Sequence, residues 1–349
     1  MENLLASKQA SKQASKQASK QASKQYYYPG LDVLKILLAT IVVLRHCGQS
    51  FFAHGSIFKI VVTNTISPVA VPTFFLISSF LFFNKHVDDN NLRKYLLRLL
   101  VLYGVWTVMY LPLILFDLPK TLTGGIQLLQ RFVFDGSYFH LWYLPSLMFA
   151  ILLTYILSKW INDRALLALS MLLFVLGTFV ETYNFISPIL NWRLYKTVFI
   201  TTRNGVFFGF VFVVLGKIIS AGIFRTKVSV RAFIVSVCLV VTESIFLSVF
   251  KDKNLINMTF SSLFLSFFLV SIFKDLNVKA NKTTLRTIRN MSTIIFCLHP
   301  WIMRVFAYIN HKLGMDGISL TIMVLTVTIL CAWIIEKLSN NLVILRKLY

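Results

Sequence analysis

Four ionisable residues, Asp32, Lys35, Arg45 and His46, stand in one apolar stretch near residues 31–53. A charged side chain at the centre of a bilayer costs about 2.5–3.5 kcal/mol on insertion scales, so such residues mark a site by default. At 100° per residue, Lys35 lies about 20° from His46 around a helix, Ala39 about 20° to the other side and Asp32 about 40° away. One stripe therefore carries a carboxylate, an ammonium, a small residue and an imidazole, with Lys35 and His46 about 16 Å apart along the axis. A neutral imidazole takes a proton near pH 7, so His46 reads as a general base or a nucleophilic relay. Lys35 and Asp32 would hold or orient an ionic group beside it. The plainer alternatives are an imidazole satisfied by a neighbouring helix and an i, i+3 ion pair near the interface. Arg45 points about 100° away from His46 and needs a different partner.

Further along, Glu243, His299, Arg304 and Glu336 also fall in apolar stretches. Glu243 and Arg304 are expected as an intramembrane ion pair, and Glu243 with His46 or His299 would suit a proton relay. Pro300 frees a backbone carbonyl next to His299, which predicts a local kink lining a cavity. Ser78 and Ser79 are small enough to let helices approach closely. The four cysteines, Cys47, Cys238, Cys297 and Cys331, lack metal-ligand spacing, so no metal site is predicted.

The elements that must position these groups are membrane helices. Of 349 residues, 57% are hydrophobic and 14% charged, and no soluble core could bury that much apolar side chain. Apolar runs long enough to cross about 30 Å of hydrocarbon fall near 31–53, 57–83, 93–117, 138–160, 165–182, 203–222, 231–250, 255–274, 290–310 and 317–338. The predicted fold is an all-α polytopic transmembrane bundle of about ten helices. With both termini cytoplasmic, 23 of the 35 Lys and Arg fall in inner segments and 9 in outer ones, as the positive-inside rule requires. The net charge of +22 is spread in short clusters between spans, so it speaks for lipid and topology rather than nucleic acid. No cleavable signal peptide is expected.

Residues 1–29 form a polar tail in which Ala-Ser-Lys-Gln recurs five times over 6–25, expected to be disordered. Residues 30–340 make the membrane domain, and 341–349 a cytoplasmic tail. A repeated AGCA reads as AGC-AAG-CAA-GCA and encodes Ser-Lys-Gln-Ala, so one tetranucleotide tract accounts for the segment. Slippage by one unit would shift the frame, which predicts phase-variable expression.

Taken in order, these residues resemble the acyltransferase-3 family, bacterial membrane acyltransferases of surface glycans. Leu31, Asp32, Lys35 and His46 match its first-helix motif; Phe74, Phe75 and Ser78 match its Phe-Phe-x-x-Ser-Gly, with Ser79 in place of the glycine. Arg98 and Tyr103 match an inner-loop arginine motif, although its first arginine is Tyr95 here, with Lys94 beside it. His140, Trp142, Tyr143 and Leu144 resemble the His-x-Trp-(Phe/Tyr)-Leu that opens a middle helix. Gly209 and Gly216 fit a Phe-rich span, and Cys297-Leu298-His299-Pro300 fits a late His-Pro segment. Lys35 stands where an arginine is usual, keeping charge but losing a bidentate fork.

The resemblance implies transfer of an acetyl group from acetyl-CoA, a substrate rather than a bound cofactor, to a hydroxyl of a surface polysaccharide or lipopolysaccharide in the bacterial inner membrane. His46 would be catalytic with Lys35 and Asp32. Arg98, Lys94, Arg93, Ser78, His140, Trp142, Tyr143, His299 and Glu243 would bind substrate, with Arg286 and Arg289 offering further inner cations. The rival reading is a membrane transporter of a glycan, a lipid-linked sugar or a proton-coupled solute.

Overall fold

The computed structural model describes residues 27–53, 55–85, 87–116, 125, 129–186, 201–222, 229–250 and 256–349. The Ala-Ser-Lys-Gln tract, His54 and His86 lie outside the described residues. Within them the chain is helical, with no strand. The helices are α1 (Pro29–Phe51), α2 (Lys59–Phe83), α3 (Asp89–Phe116), α4 (Tyr143–Leu157), α5 (Asp163–Glu181), α6 (Gly205–Ser220), α7 (Val230–Phe250), α8 (Ser261–Lys274), α9 (Lys282–Leu313) and α10 (Gly317–Leu338). A helix lies in each predicted apolar stretch. Among the described residues, α2, α3, α5, α7, α9 and α10 are long and apolar enough to cross a membrane; α4, α6 and α8 are apolar but shorter.

Two packing units position the polar groups. In the first, α1 lies against α9 and α10, so the stripe bearing Asp32, Lys35 and His46 meets other helices. In the second, α2 packs closely on α6. A Cβ on Gly216 would land on Ser79 Oγ and come 2.8 Å from the Leu76 carbonyl oxygen. Ser79, fully buried, is thus one half of a small-on-small contact that lets backbones approach.

Helix irregularities open acceptors where side chains need them. The first part of α2 is a π-helix, Lys59–Ile66, in which Ser67 N–H bonds to the Val62 carbonyl. The next bond in that register would run from residue 68 to Thr63, but Pro68 has no N–H. The Ser67 hydroxyl donates to Thr63 O at 2.6 Å instead, and Arg45 Nη1 joins it, donating to Thr63 O at 3.1 Å and to Ser67 Oγ at 2.8 Å. Its Nη2 donates to Ile256 O and Asn257 Oδ1, both at 3.0 Å. These are the partners its position on the wheel required.

One expectation fails. Glu243 does not pair with Arg304. It accepts from the Phe260 and Ser261 amides, each at 2.8 Å, and from the Tyr183 hydroxyl. A carboxylate meeting the open N–H groups at the start of α8 is capping chemistry, and Arg304 is exposed on α9. The C-terminal stretch packs back on the bundle. Val343–Leu348 forms a 3₁₀ turn, the Leu348 carbonyl accepts the Trp106 indole N–H at 3.1 Å, and Tyr349 bonds Ser339 at 2.7 Å. Burying Leu348 and ring surface beside α3 outweighs the freedom such a segment would have in water.

Candidate functional site

Three imidazoles from distant parts of the chain meet inside the bundle. His46 stacks on His299 with ring centroids 5.2 Å apart and 24° between planes. His140 stands edge-on to His299 at 5.4 Å, and Phe139 edge-on to His46 at 5.0 Å. His46 is half-buried, whereas His140 and His299 are 2% and 0% exposed.

Backbone carbonyls fix the tautomers of the two sealed rings. His299 Nδ1 lies 3.2 Å from the Ile295 carbonyl and His140 Nε2 lies 3.2 Å from the Cys297 carbonyl. A carbonyl only accepts, so each of these nitrogens carries its proton. The opposite nitrogens, His299 Nε2 and His140 Nδ1, are then bare lone pairs, and both are buried without a hydrogen-bond partner among the described residues. Pro300 removes the donor that the Phe296 carbonyl would use. The next carbonyl, of Cys297, accepts Tyr110 Oη–H at 2.7 Å as well as His140. Tyr110 in turn stacks on Tyr138 at 4.5 Å and Trp301 at 5.8 Å, which holds the wall of the cluster rigid.

A polar path leads from these rings toward the start of α1. Tyr143 packs on Phe296 at 5.7 Å, its hydroxyl donates to Phe74 O at 3.2 Å, and it shares a 2.9 Å bond with Ser78 Oγ. Tyr95 lies close enough to Ser78 to interact with it. Tyr95 is one helical turn from Arg98, and Arg98, Arg289 and Asp32 all lie within electrostatic range of Lys35. Buried Asp32 pairs with Arg289 across a 3.9 Å gap. The structure therefore brings Arg98 and Arg289 to the Asp32–Lys35 end, while Arg93 and Lys94 stay exposed nearer the start of α3. Ser78 serves this path rather than helix packing, which falls to Ser79. Trp142 lies under the Arg203 guanidinium at 4.6 Å. Glu243 stands apart, at the α8 cap.

The sequence reading missed Tyr110, Trp301, Arg203 and Asp135. Tyr110 and Trp301 carry no signal beyond being aromatic in apolar spans. Asp135 precedes Gly136, five residues before His140, in a segment that a reading by spans treats as a loop. Among the described residues no cluster of His, Cys, Asp and Glu has the geometry to hold a metal ion.

The chain matches the family described as an acyltransferase domain over residues 28–337. A protein named amino-acid racemase from Enterococcus faecalis is 29% identical over 333 residues, covering 90% of this chain and 46% of that one. The serine/alanine racemase of Enterococcus gallinarum is 26% identical over 330 residues, covering 88% of this chain and 46% of that one. The chain thus spans less than half the length of these curated relatives. No solved structure matches.

Proposed function

Because the chain belongs to the acyltransferase-3 family of membrane acyltransferases, we propose that it moves an acetyl group from acetyl-CoA to a hydroxyl of a cell-surface polysaccharide or lipopolysaccharide sugar. The observation that carries this reading is the stack of His46 on His299 inside a bundle whose other polar end is cationic. Acetyl-CoA is polyanionic, and Arg98, Lys35 and Arg289, approached past exposed Arg93 and Lys94, suit its phosphates. His46 accepts the proton of the acceptor hydroxyl as that oxygen attacks the thioester carbonyl. The C–O bond forms, the C–S bond breaks, and the CoA thiolate leaves with the proton. A positioned base of this kind contributes about 10²–10⁴-fold. In a two-step variant His46 first takes the acetyl group and then yields it to the acceptor.

Ten crossings with both termini in the cytoplasm place the cationic end of α1 inside and His46 in the outer half, as the positive-inside rule favours. The membrane is then the bacterial inner membrane. The Ala-Ser-Lys-Gln tract supports phase-variable expression, and sequencing the locus in many clones would end that idea if repeat number were constant. The transporter reading loses its proposed Glu243 relay, since that carboxylate is committed to capping α8.

The test compares surface glycan mass with the gene in frame and out of frame. One acetyl adds about 42 Da per modified sugar, by chemical arithmetic of the ester formed in the proposed step; identical spectra would refute the reading. Serine and alanine, the amino acids in one relative's name, belong in the same acetyl-CoA assay. Acetylation of either instead of glycan would replace the acceptor and keep the transfer.

A further inference from the structure

Beyond the histidines lies a pair of polar side chains that the steps above do not use. Asp135 ends the short π-helical turn Arg131–Asp135. Gly136, at φ 82°, follows it, so close to Leu141 and Trp142 that a Cβ would stand 2.6 Å from the Leu141 carbonyl carbon. This folds Asp135 onto the beginning of α4. Both its carboxylate oxygens are enclosed, and neither has a hydrogen-bond partner among the described residues.

Facing it, Arg203 lies 4.6 Å over the Trp142 ring and donates Nη1 to Asn257 Oδ1 at 3.3 Å. Its Nε–H is buried and also lacks a partner among the described residues. Asp135 and Arg203 are near enough to feel each other's charge, yet the described residues show no ion pair between them. An enclosed carboxylate with no donor costs about 1–3 kcal/mol or more. Two empty acceptors opposite an empty donor are the complement of adjacent hydroxyls, which donate and accept at once. The pair adjoins the imidazoles. The loop that carries Asp135 also carries Phe139 and His140, and Asn257 Oδ1 is shared between Arg203 and Arg45, the residue next to His46.

We propose that Asp135 and Arg203 form the acceptor subsite, with Asp135 accepting from neighbouring sugar hydroxyls and Arg203 Nε–H donating to one of their oxygens. This rests on the acetyl-transfer reading and adds to it the residues that hold the sugar. Burial pushes the Asp135 carboxyl up to about 6 against the opposing pull of Arg203, while Glu181 and Arg131 are the other charges facing it. Acceptor binding should therefore weaken as pH falls through about 6, where the carboxylate takes a proton and gives up an acceptor.

The test uses the full chain in proteoliposomes, with acetyl-CoA and surface polysaccharide of the expressing cells stripped of esters by mild alkali. Asp135→Asn should raise the KM for polysaccharide about tenfold or more, the loss of one or two hydrogen bonds to a charged group, and leave the KM for acetyl-CoA unchanged. An unchanged polysaccharide KM would overturn the subsite. A second arm needs no variant: carbodiimide labelling of Asp135 in the wild-type protein, read by mass spectrometry, should slow when polysaccharide is present. Absence of protection would overturn the subsite even if Asp135→Asn failed to fold. Protection without any acetyl transfer by the wild type would keep the subsite and sink the proposed reaction.

Discussion

Near its start α1 presents Asp32 and Lys35 to Arg289 and Arg98; about 16 Å beyond Lys35 the same face presents His46 to His299 and Phe139. The first group is charged, and its Arg289 remains 42% exposed. The second is built of rings and carbonyls, and the described residues record no ion pair in it. The contrast follows from solvent. Near the end of the bundle water can share the cost of several like charges, whereas deep among apolar helices an unpaired charge costs several kcal/mol. Ionic recognition therefore belongs at the first group and proton chemistry, which begins from a neutral ring, at the second.

Breaking the deep group should give the largest effect. His46→Ala is expected to cut acetyl transfer about 10²–10⁴-fold in a protein that still inserts at normal abundance, as radiolabelled acetyl incorporation in isolated membranes would show. Breaking the charged group should act on binding instead. Lys35→Gln or Arg289→Gln removes one charge-assisted contact, worth about 1.5–3 kcal/mol, so the KM for acetyl-CoA should rise about 10–100-fold with kcat far less altered, measured by thioester consumption.

Two smaller effects sharpen the contrast by touching neither group. Gly216→Val forces side-chain atoms into Ser79 and the Leu76 carbonyl and should cost about 1–3 kcal/mol, visible as a lower Tm in detergent. Glu243→Ala leaves the Tyr183 hydroxyl and two amides at the start of α8 without their acceptor. That should cost about 1 kcal/mol, with acetyl transfer per folded molecule unchanged. Loss of turnover at wild-type stability would instead restore Glu243 as a working carboxylate.

How far the sequence reveals this arrangement depends on range. The α1 stripe is visible because helical geometry alone puts Lys35 and His46 on one face, and the need of Arg45 for other partners follows from the same wheel. The apolar runs locate the helices because lipid demands length and continuity. Contacts between distant segments stay hidden. Asp32 reads as the partner of Lys35, three residues on, yet its ion pair is with Arg289 on α9. Glu243 and Arg304 look complementary as charges, but the open amides of α8 are a nearer and better match for the carboxylate. His140 meets His299 ring to ring and bonds the Cys297 carbonyl in the same helix, and no spacing rule encodes either contact. The Trp106 indole bond to Leu348 is invisible for the same reason.

Single-turnover acetyl transfer in proteoliposomes, with His46→Ala beside Lys35→Gln at rising acetyl-CoA, tests the division of labour most directly. Lys35→Gln should return to near wild-type rates once the donor saturates, while His46→Ala stays about 100-fold or more below at every concentration. Recovery of His46→Ala at high donor would contradict the account, because it would make the imidazole one more contact for binding and leave the chemistry without its base.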